Sequence, residues 1–347
     1  MMRPIMMKGH ERPLTQVKYN KEGDLLLTVS KDKEASIWYS SNGERLGTLE
    51  GHAGTIWSID VDKDTHYFVT ASADFTVKLW LAETGECLHT WYFDSPVKRV
   101  EFNHICDKVV IVTDQAMGQK ASVRVLNVNQ KDAKAQDDQA VLTITNEEDS
   151  KNKYSVAGWS YGDLYLIVGH ANGKVSKFDA KTGELLQTVD VHEGLITDIQ
   201  FSEDRSYFVT SSKDKTAKLL DVDNLHIFKK YGADAPMNSA CITPVKEFVI
   251  LGGGQDARDV TTTSSSEGKF EARFYHKIFE DEIGRVKGHF GPLNYVAIHP
   301  NGTSYASGGE DGYIRLHHFH KSYFDFLYDV EKTAQSQVNN LQKEIEA

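Results

Sequence analysis

Serine, histidine and aspartate recur together in this chain, and together they could activate a hydroxyl nucleophile. His10, Ser30 and Asp32 precede Trp38, and His52, Ser72 and Asp74 precede Trp80. In a hydrolase the imidazole would take the serine proton and the carboxylate would orient the imidazole. The spacing argues for another role. Every member of the second set stands 42 residues after its counterpart, and an echo follows at His192, Ser212 and Asp214. A catalytic triad is needed once. A repeated set reads as structural tetrads: buried side chains that satisfy one another's donors and acceptors where a Gly-His loop, a strand, a tight turn and an indole meet.

Other suggestive groups weaken in the same way. Gly252-Gly253-Gly254 lacks the Gly-Lys-Ser/Thr that completes a phosphate loop, and it ends a strand instead of opening a helix. His317, His318 and His320 cannot all face one side of a strand, so no metal site is expected. Cys87, Cys106 and Cys241 are odd in number and far apart, which suggests neither disulfides nor zinc. Asn301-Gly302-Thr303 is a glycosylation sequon but also a hairpin turn, the favoured reading for a chain expected in the cytoplasm. Thr261–Ser266 reads as part of a flexible insertion before it reads as a phosphorylation site.

The 42-residue step defines the architecture. It lies within the period of a WD40 blade, each blade being four strands. Strand triplets begin near Leu14, Thr55, Val97, Ser155, Ile196, Asn238 and Asn294, seven in all. The expected fold is all-β, a seven-bladed WD40 β-propeller over residues 1–320, with a C-terminal aromatic segment and short helix over 321–347. Pro4–Lys8 should supply the outer strand of the last blade beside Ile314–His318, closing the ring and leaving only short edges. Blade four carries Phe178 in the place of the tryptophan, blade five Leu220, and blade seven His317, with Gly309 in the place of the serine. Polar residues Lys131–Gln139 read as an exposed loop, and Ala257–Lys269 as an insertion in blade six. Val330, Ala334, Val338, Leu341 and Ile345 make one apolar helical stripe after a candidate N-cap, Asp329, suited equally to packing on the propeller or to docking elsewhere.

On this frame one rim gathers carboxylates. The turns joining first to second and third to fourth strands share a rim, which places Glu203, Asp204, Asp221 and Asp223 of blade five beside Asp163 and Asp179 of blade four. Such a rim is a candidate partner site, because arginine pairs with carboxylates bidentately. A solvated charged edge is the plainer alternative. The whole chain carries 50 acidic against 39 basic residues, which disfavours a broad nucleic-acid groove. No apolar run approaches the ~20 residues that cross a bilayer, so no membrane association is expected. An enzyme would need polar groups converging on the central channel, and the inner strands Val17–Tyr19, Ile59–Val61, Ile199–Phe201 and Val296–Ile298 read as structural. No cofactor is expected.

Several stretches resemble a known family along nearly the whole chain. Gly9–Leu26, Ser72–Trp80, Leu251–Ser264, Gly268–Asn294 and Ser304–Phe319 are similar to the i subunits of eukaryotic translation initiation factor 3, in a fungal form. The blade-six insertion and blade-seven strings carry the likeness, since Gly-His and Trp landmarks specify only the fold. The resemblance implies a non-enzymatic cytoplasmic scaffold, a monomer within a hetero-oligomer. It further implies partners in subunits b and g, contact with the small ribosomal subunit through the complex, no direct sequence-specific nucleic-acid contact, and support of pre-initiation complex assembly and mRNA scanning. The alternative is a generic WD40 adaptor in receptor signalling or ubiquitin ligation. That reading would need basic residues gathered opposite the acidic rim, where Lys31, Lys33, Lys213 and Lys215 are scattered.

Overall fold

Burial is greatest in the second strands and least in the outer ones, and it explains the strand sequences. The second strand of blade one, Leu25–Ser30, is buried at every position, whereas the outer strand of blade four, Leu185–Asp190, has no buried residue. A strand sandwiched between neighbouring blades has no solvent face, so its apolar residues run continuously instead of alternating. The computed structural model describes residues 4–116, 118–145, 153–255, 270–328 and 332–333.

Seven antiparallel four-stranded sheets follow one another. Blade two is typical: Ile56–Val61 innermost, then Tyr67–Ser72, Thr76–Leu81 and Cys87–Tyr92, each paired with the next. Blade seven departs in its outer strand, which is Ile5–Lys8 from the start of the chain. Ile5 pairs with Leu316 and Lys8 with Tyr313. The ring therefore closes as the sequence suggested.

All seven inner pairs carry a register shift after their first residue, from Leu14/Gln16 in blade one to Leu293/Tyr295 in blade seven. A bulge re-aims the following side chain. The residues just past it are Gln16, Ser58, Arg99, Val156, Asp198, Ser239 and Tyr295.

Residues Lys131–Gln139 form a loop that is tied down by the Trp91 indole N–H donating to Asp137 O at 3.0 Å, and the following outer strand shortens to Leu142–Thr145. Past blade seven a single helical turn, Lys321–Phe324, stacks Tyr323 on Phe319 at 3.8 Å. Phe326 and Tyr328 then pack on Phe248 and Phe279 of blade six. The aromatic segment thus lies on its own propeller. The apolar stripe from Val330 to Ile345, its candidate cap Asp329, and the Thr261–Ser266 run lie outside the described residues.

Candidate partner rim and the buried polar networks

The tetrads form, with one correction. His10 Nδ1 meets Asp32 at 2.8 Å, but His10 Nε2 meets Thr28 Oγ1 at 2.9 Å, and the Trp38 indole donates to that same Oγ1 at 2.8 Å. Blade two repeats this with His52, Asp74, Thr70 and Trp80. Ser30, expected to join the histidine to the indole, instead donates to the carbonyls of Arg12 and Pro13 and accepts from Asp32 N. Ser72 likewise accepts from Asp74 N. The reason is the pleat: residues two apart share a face but lie ~6–7 Å apart along it, and only the threonine is level with the indole.

Proton bookkeeping fixes the direction of the chain. A carboxylate only accepts, so the histidine Nδ1 carries a hydrogen. An indole only donates, so the threonine oxygen accepts from it, and the same hydroxyl meets Nε2 and, in blade one, the Ser36 carbonyl at 3.3 Å. One hydroxyl is thus shared between the imidazole and the indole in each of these blades. Burial acts to raise the Asp32 and Asp74 carboxyls, but the histidine bonds and neighbouring backbone N–H groups outweigh it and hold both below the usual carboxylate range.

The degenerate blades keep what their residues allow. Blade five retains His192, Asp214 and Thr210, with buried Leu220 where the indole would be. Blade seven uses Ser307 as the hydroxyl for His289, and His317 stacks on Tyr305 at 4.6 Å in the tryptophan position. Gly309 is explained by proximity: a Cβ there would sit 2.5 Å from His289 Nδ1.

The inner strands also carry a buried polar cluster, on residues next to the stretches Val17–Tyr19, Ile199–Phe201 and Val296–Ile298. Five of the residues after the bulges, from blades one, three, five, six and seven, bond to one another. Arg99 Nη1 lies 3.4 Å from Asp198 Oδ1 and 3.3 Å from Tyr295 Oη, and Tyr295 donates to Asp198 at 3.2 Å. Gln16 donates to Tyr295 Oη at 3.4 Å and accepts from Ile59 N at 2.7 Å. Ser239 donates to the other Asp198 oxygen at 2.7 Å. On one side Glu101 extends the cluster to Arg205 at 2.9 Å. Polar groups do converge, and the ionised ones among them, Arg99, Asp198, Glu101 and Arg205, are paired with one another. The sequence signal was available: six of these seven positions, the first after each bulge, carry a polar or phenolic side chain (Gln16, Ser58, Arg99, Asp198, Ser239, Tyr295), and only Val156 does not.

The acidic rim is assembled from neighbouring turns. Val222 N donates to Ser206 O at 3.0 Å, joining the two blade-five turns, and Tyr161 of blade four donates to Asp223 Oδ1 at 2.5 Å. Glu203, Asp204 and Asp223 are exposed, while Asp179 and Asp221 are half-buried. Asp179 Oδ1 accepts from Lys181 N and Thr182 N, and Asp221 Oδ1 accepts from Asp223 N and Asn224 N. Asp204 accepts from the Ser202 and Ser206 hydroxyls, which hold its carboxyl below the usual range. Asp163 turns away, accepting from Asn103 and His104 N of blade three. The outward charge is therefore carried by Asp179, Glu203, Asp204, Asp221 and Asp223, most of which also cap their own turns.

Among the described residues one group has the proximity to hold a metal ion, Asp62, Asp64 and His66, in a blade-two turn. Asp62 Oδ1 is already engaged by His66 N and Tyr67 N at 2.7 Å. No helix of the described residues is long and apolar enough to cross a membrane.

The fold is shared widely. The β-propeller domain of Cps50 (Swd1) from Myceliophteria thermophila superposes with a TM-score of 0.73 at 17% identity, covering 90% of this chain and 98% of that one. A family model described as EIF3I matches residues 2–329. Eukaryotic translation initiation factor 3 subunit I of Vanderwaltozyma polyspora is 61% identical over 339 residues, 96% of this chain and 97% of the relative. The subunit I of Candida albicans is 61% identical over 342 residues, with 96% and 97% covered, and that of Aspergillus oryzae 59% over 333 residues, with 95% and 98% covered. With a full-length family match and this identity across fungi, the chain belongs to the eukaryotic translation initiation factor 3 subunit I family, and so is a subunit of an initiation factor complex.

Proposed function

We propose that the chain is a non-enzymatic cytoplasmic scaffold that binds subunits b and g, with basic side chains of the b segment on its acidic rim, and thereby supports pre-initiation complex assembly and mRNA scanning. The observation that carries this reading is the rim of blades four and five, where Asp179, Glu203, Asp204, Asp221 and Asp223 lie on turns bonded to one another. A rigid array of carboxylates suits arginine and lysine side chains and steers their encounter. The pairing of Arg99 with Asp198 and Glu101, and of Arg205 with Glu101, supports a structural role for the buried charges. Contact with the small ribosomal subunit would then pass through the neighbouring subunits.

The test is a pull-down of purified subunits b and g on wild type and on the Asp204→Lys, Asp221→Lys double variant. The expected outcome is loss of one partner with the other retained, while far-UV circular dichroism stays unchanged. Binding of both partners at wild-type strength would refute the rim as the site.

A further inference from the structure

The seam between blades one and two, on the same face as the acidic rim but on the other side of the disc, is open where comparable seams are filled. A groove of about 200 Å³ lies there, lined mainly by Leu25, Ile37, Leu46, Phe68, Leu81 and Ala82. Its volume exceeds the ~150 Å³ cavity that takes a benzene ring and falls short of the ~300 Å³ where small-molecule sites begin. It has room for one side chain and not for a cofactor.

The other seams show which kind of side chain belongs. In blades one, two, four and five the third-to-fourth strand turn faces the preceding blade, and in blade five that turn places Leu225 in the seam. Leu225 is 1% exposed and packs with Phe208, Val222 and Tyr165. The residue in the same position of blade two, 140 residues earlier, is Gly85. At Gly183 of blade four, the seam is occupied by Leu142, 2.5 Å from where a Cβ would stand. At Gly43 of blade one it is occupied by Ile5 and Met7, at 2.8 and 2.9 Å. A Cβ at Gly85 would meet one atom within 4 Å, Leu49 Cδ2 at 3.5 Å. The seam of blades one and two is thus the leucine-sized position that this chain leaves for something else.

The mouth selects further. Leu46 stands there 51% exposed. Glu83 lines the groove, and Asp64 lies in the adjoining turn; both are exposed, and neither forms an ion pair among the described residues. An apolar pit beside unpaired carboxylates fits an aliphatic residue neighboured by a cation, and repels an acidic segment. We propose that this groove is a docking pocket for a partner protein that presents one leucine-like side chain next to a lysine or arginine. The proposal goes beyond the rim of blades four and five and does not depend on it.

The experiment places the photo-crosslinker p-benzoylphenylalanine at exposed Thr84 in the full chain, within the purified initiation factor complex. The crosslinked peptide is then sequenced by mass spectrometry. The expected product is one segment of another subunit, with an aliphatic residue adjoining lysine or arginine. Gly85→Leu, which fills the groove from within as Leu225 does in blade five, should cut the crosslink about tenfold or more, as expected for losing the burial of one leucine. Leu46→Asp at the exposed mouth should do the same with unfolding unchanged, which covers the case in which Gly85→Leu folds poorly. Absence of a crosslink, a crosslink only to this chain's own residues or to a second copy, a segment lacking that pairing of residues, or full yield in Leu46→Asp would each overturn the proposal.

Discussion

The indole of Trp80 donates its N–H to Thr70 Oγ1 at 2.8 Å, and that hydroxyl is also the partner of His52 Nε2 at 2.7 Å. One hydroxyl therefore satisfies two buried groups. Thr70→Val keeps the shape and strands both, so it should destabilise by about 2–4 kcal/mol. Thr210→Val in blade five, where Leu220 replaces the indole, should cost about 1–2 kcal/mol. Urea denaturation of the two variants checks the difference, and equal losses would contradict the relay.

Arg99 should be the most sensitive single position of the channel. Its side chain is buried, and its guanidinium meets Asp198 of blade five and Tyr295 of blade seven. Arg99→Met leaves Asp198 buried without its cation, at a cost of about 3–5 kcal/mol. Adding Asp198→Asn should recover part of that loss, because the two residues are coupled. Strictly additive thermal shifts in the double variant would show that they act separately.

Acid should weaken the fold before its carboxylates titrate. Burial lowers His170 and His317 from 6.5 to about 4. A group that binds its proton less well when folded favours the unfolded chain once protonation begins. The contribution of these histidines is therefore intact above pH 6.5 and declines as pH falls toward 4. The depressed Asp32, Asp214 and Asp311 carboxyls work at lower pH, losing their contribution only below the unfolded value of 3.8. His317→Phe preserves the stack on Tyr305 and should flatten the stability slope over pH 6.5–4 by about 1 kcal/mol per pH unit. An unchanged slope in denaturant melts at several pH values would count against this assignment.

Charge and turn-capping at the rim can be separated. Asparagine retains the side-chain oxygen that accepts from the turn's N–H groups, so Asp204→Asn with Asp221→Asn should leave the melting temperature within a few degrees of wild type. Partner affinity should nevertheless fall about tenfold and lose much of its salt dependence. Calorimetric titration at two ionic strengths reads both quantities.

Much of this was legible from residue spacing. The 42-residue step gave the blade count, the closing strand and the pairing of His10 with Asp32 and His52 with Asp74, because repeated landmarks reflect a repeated local geometry. It did not single out Thr28 and Thr70, since Ser30 and Ser72 lie on the same strand face with equally suitable hydroxyls. Deciding between them requires knowing which is level with the indole, and that depends on the register of the second strand against the third. The acidic turns were readable from loop composition, but their bonding to each other was not.

The sequence by itself determined the ring: seven units whose apolar inner strands must be covered by neighbours, and an opening strand that completes the last unit. Tertiary structure alone decided what the ring encloses and where it stays open. Gln16, Arg99, Asp198 and Tyr295 are up to 279 residues apart in hydrogen-bonded pairs and meet only because seven bulges turn them to one axis. Whether a seam is filled likewise depends on a residue of one blade reaching the next, as Leu225 does and Gly85 cannot. Local patterns fix local geometry, whereas contacts across the ring exist only after it has closed.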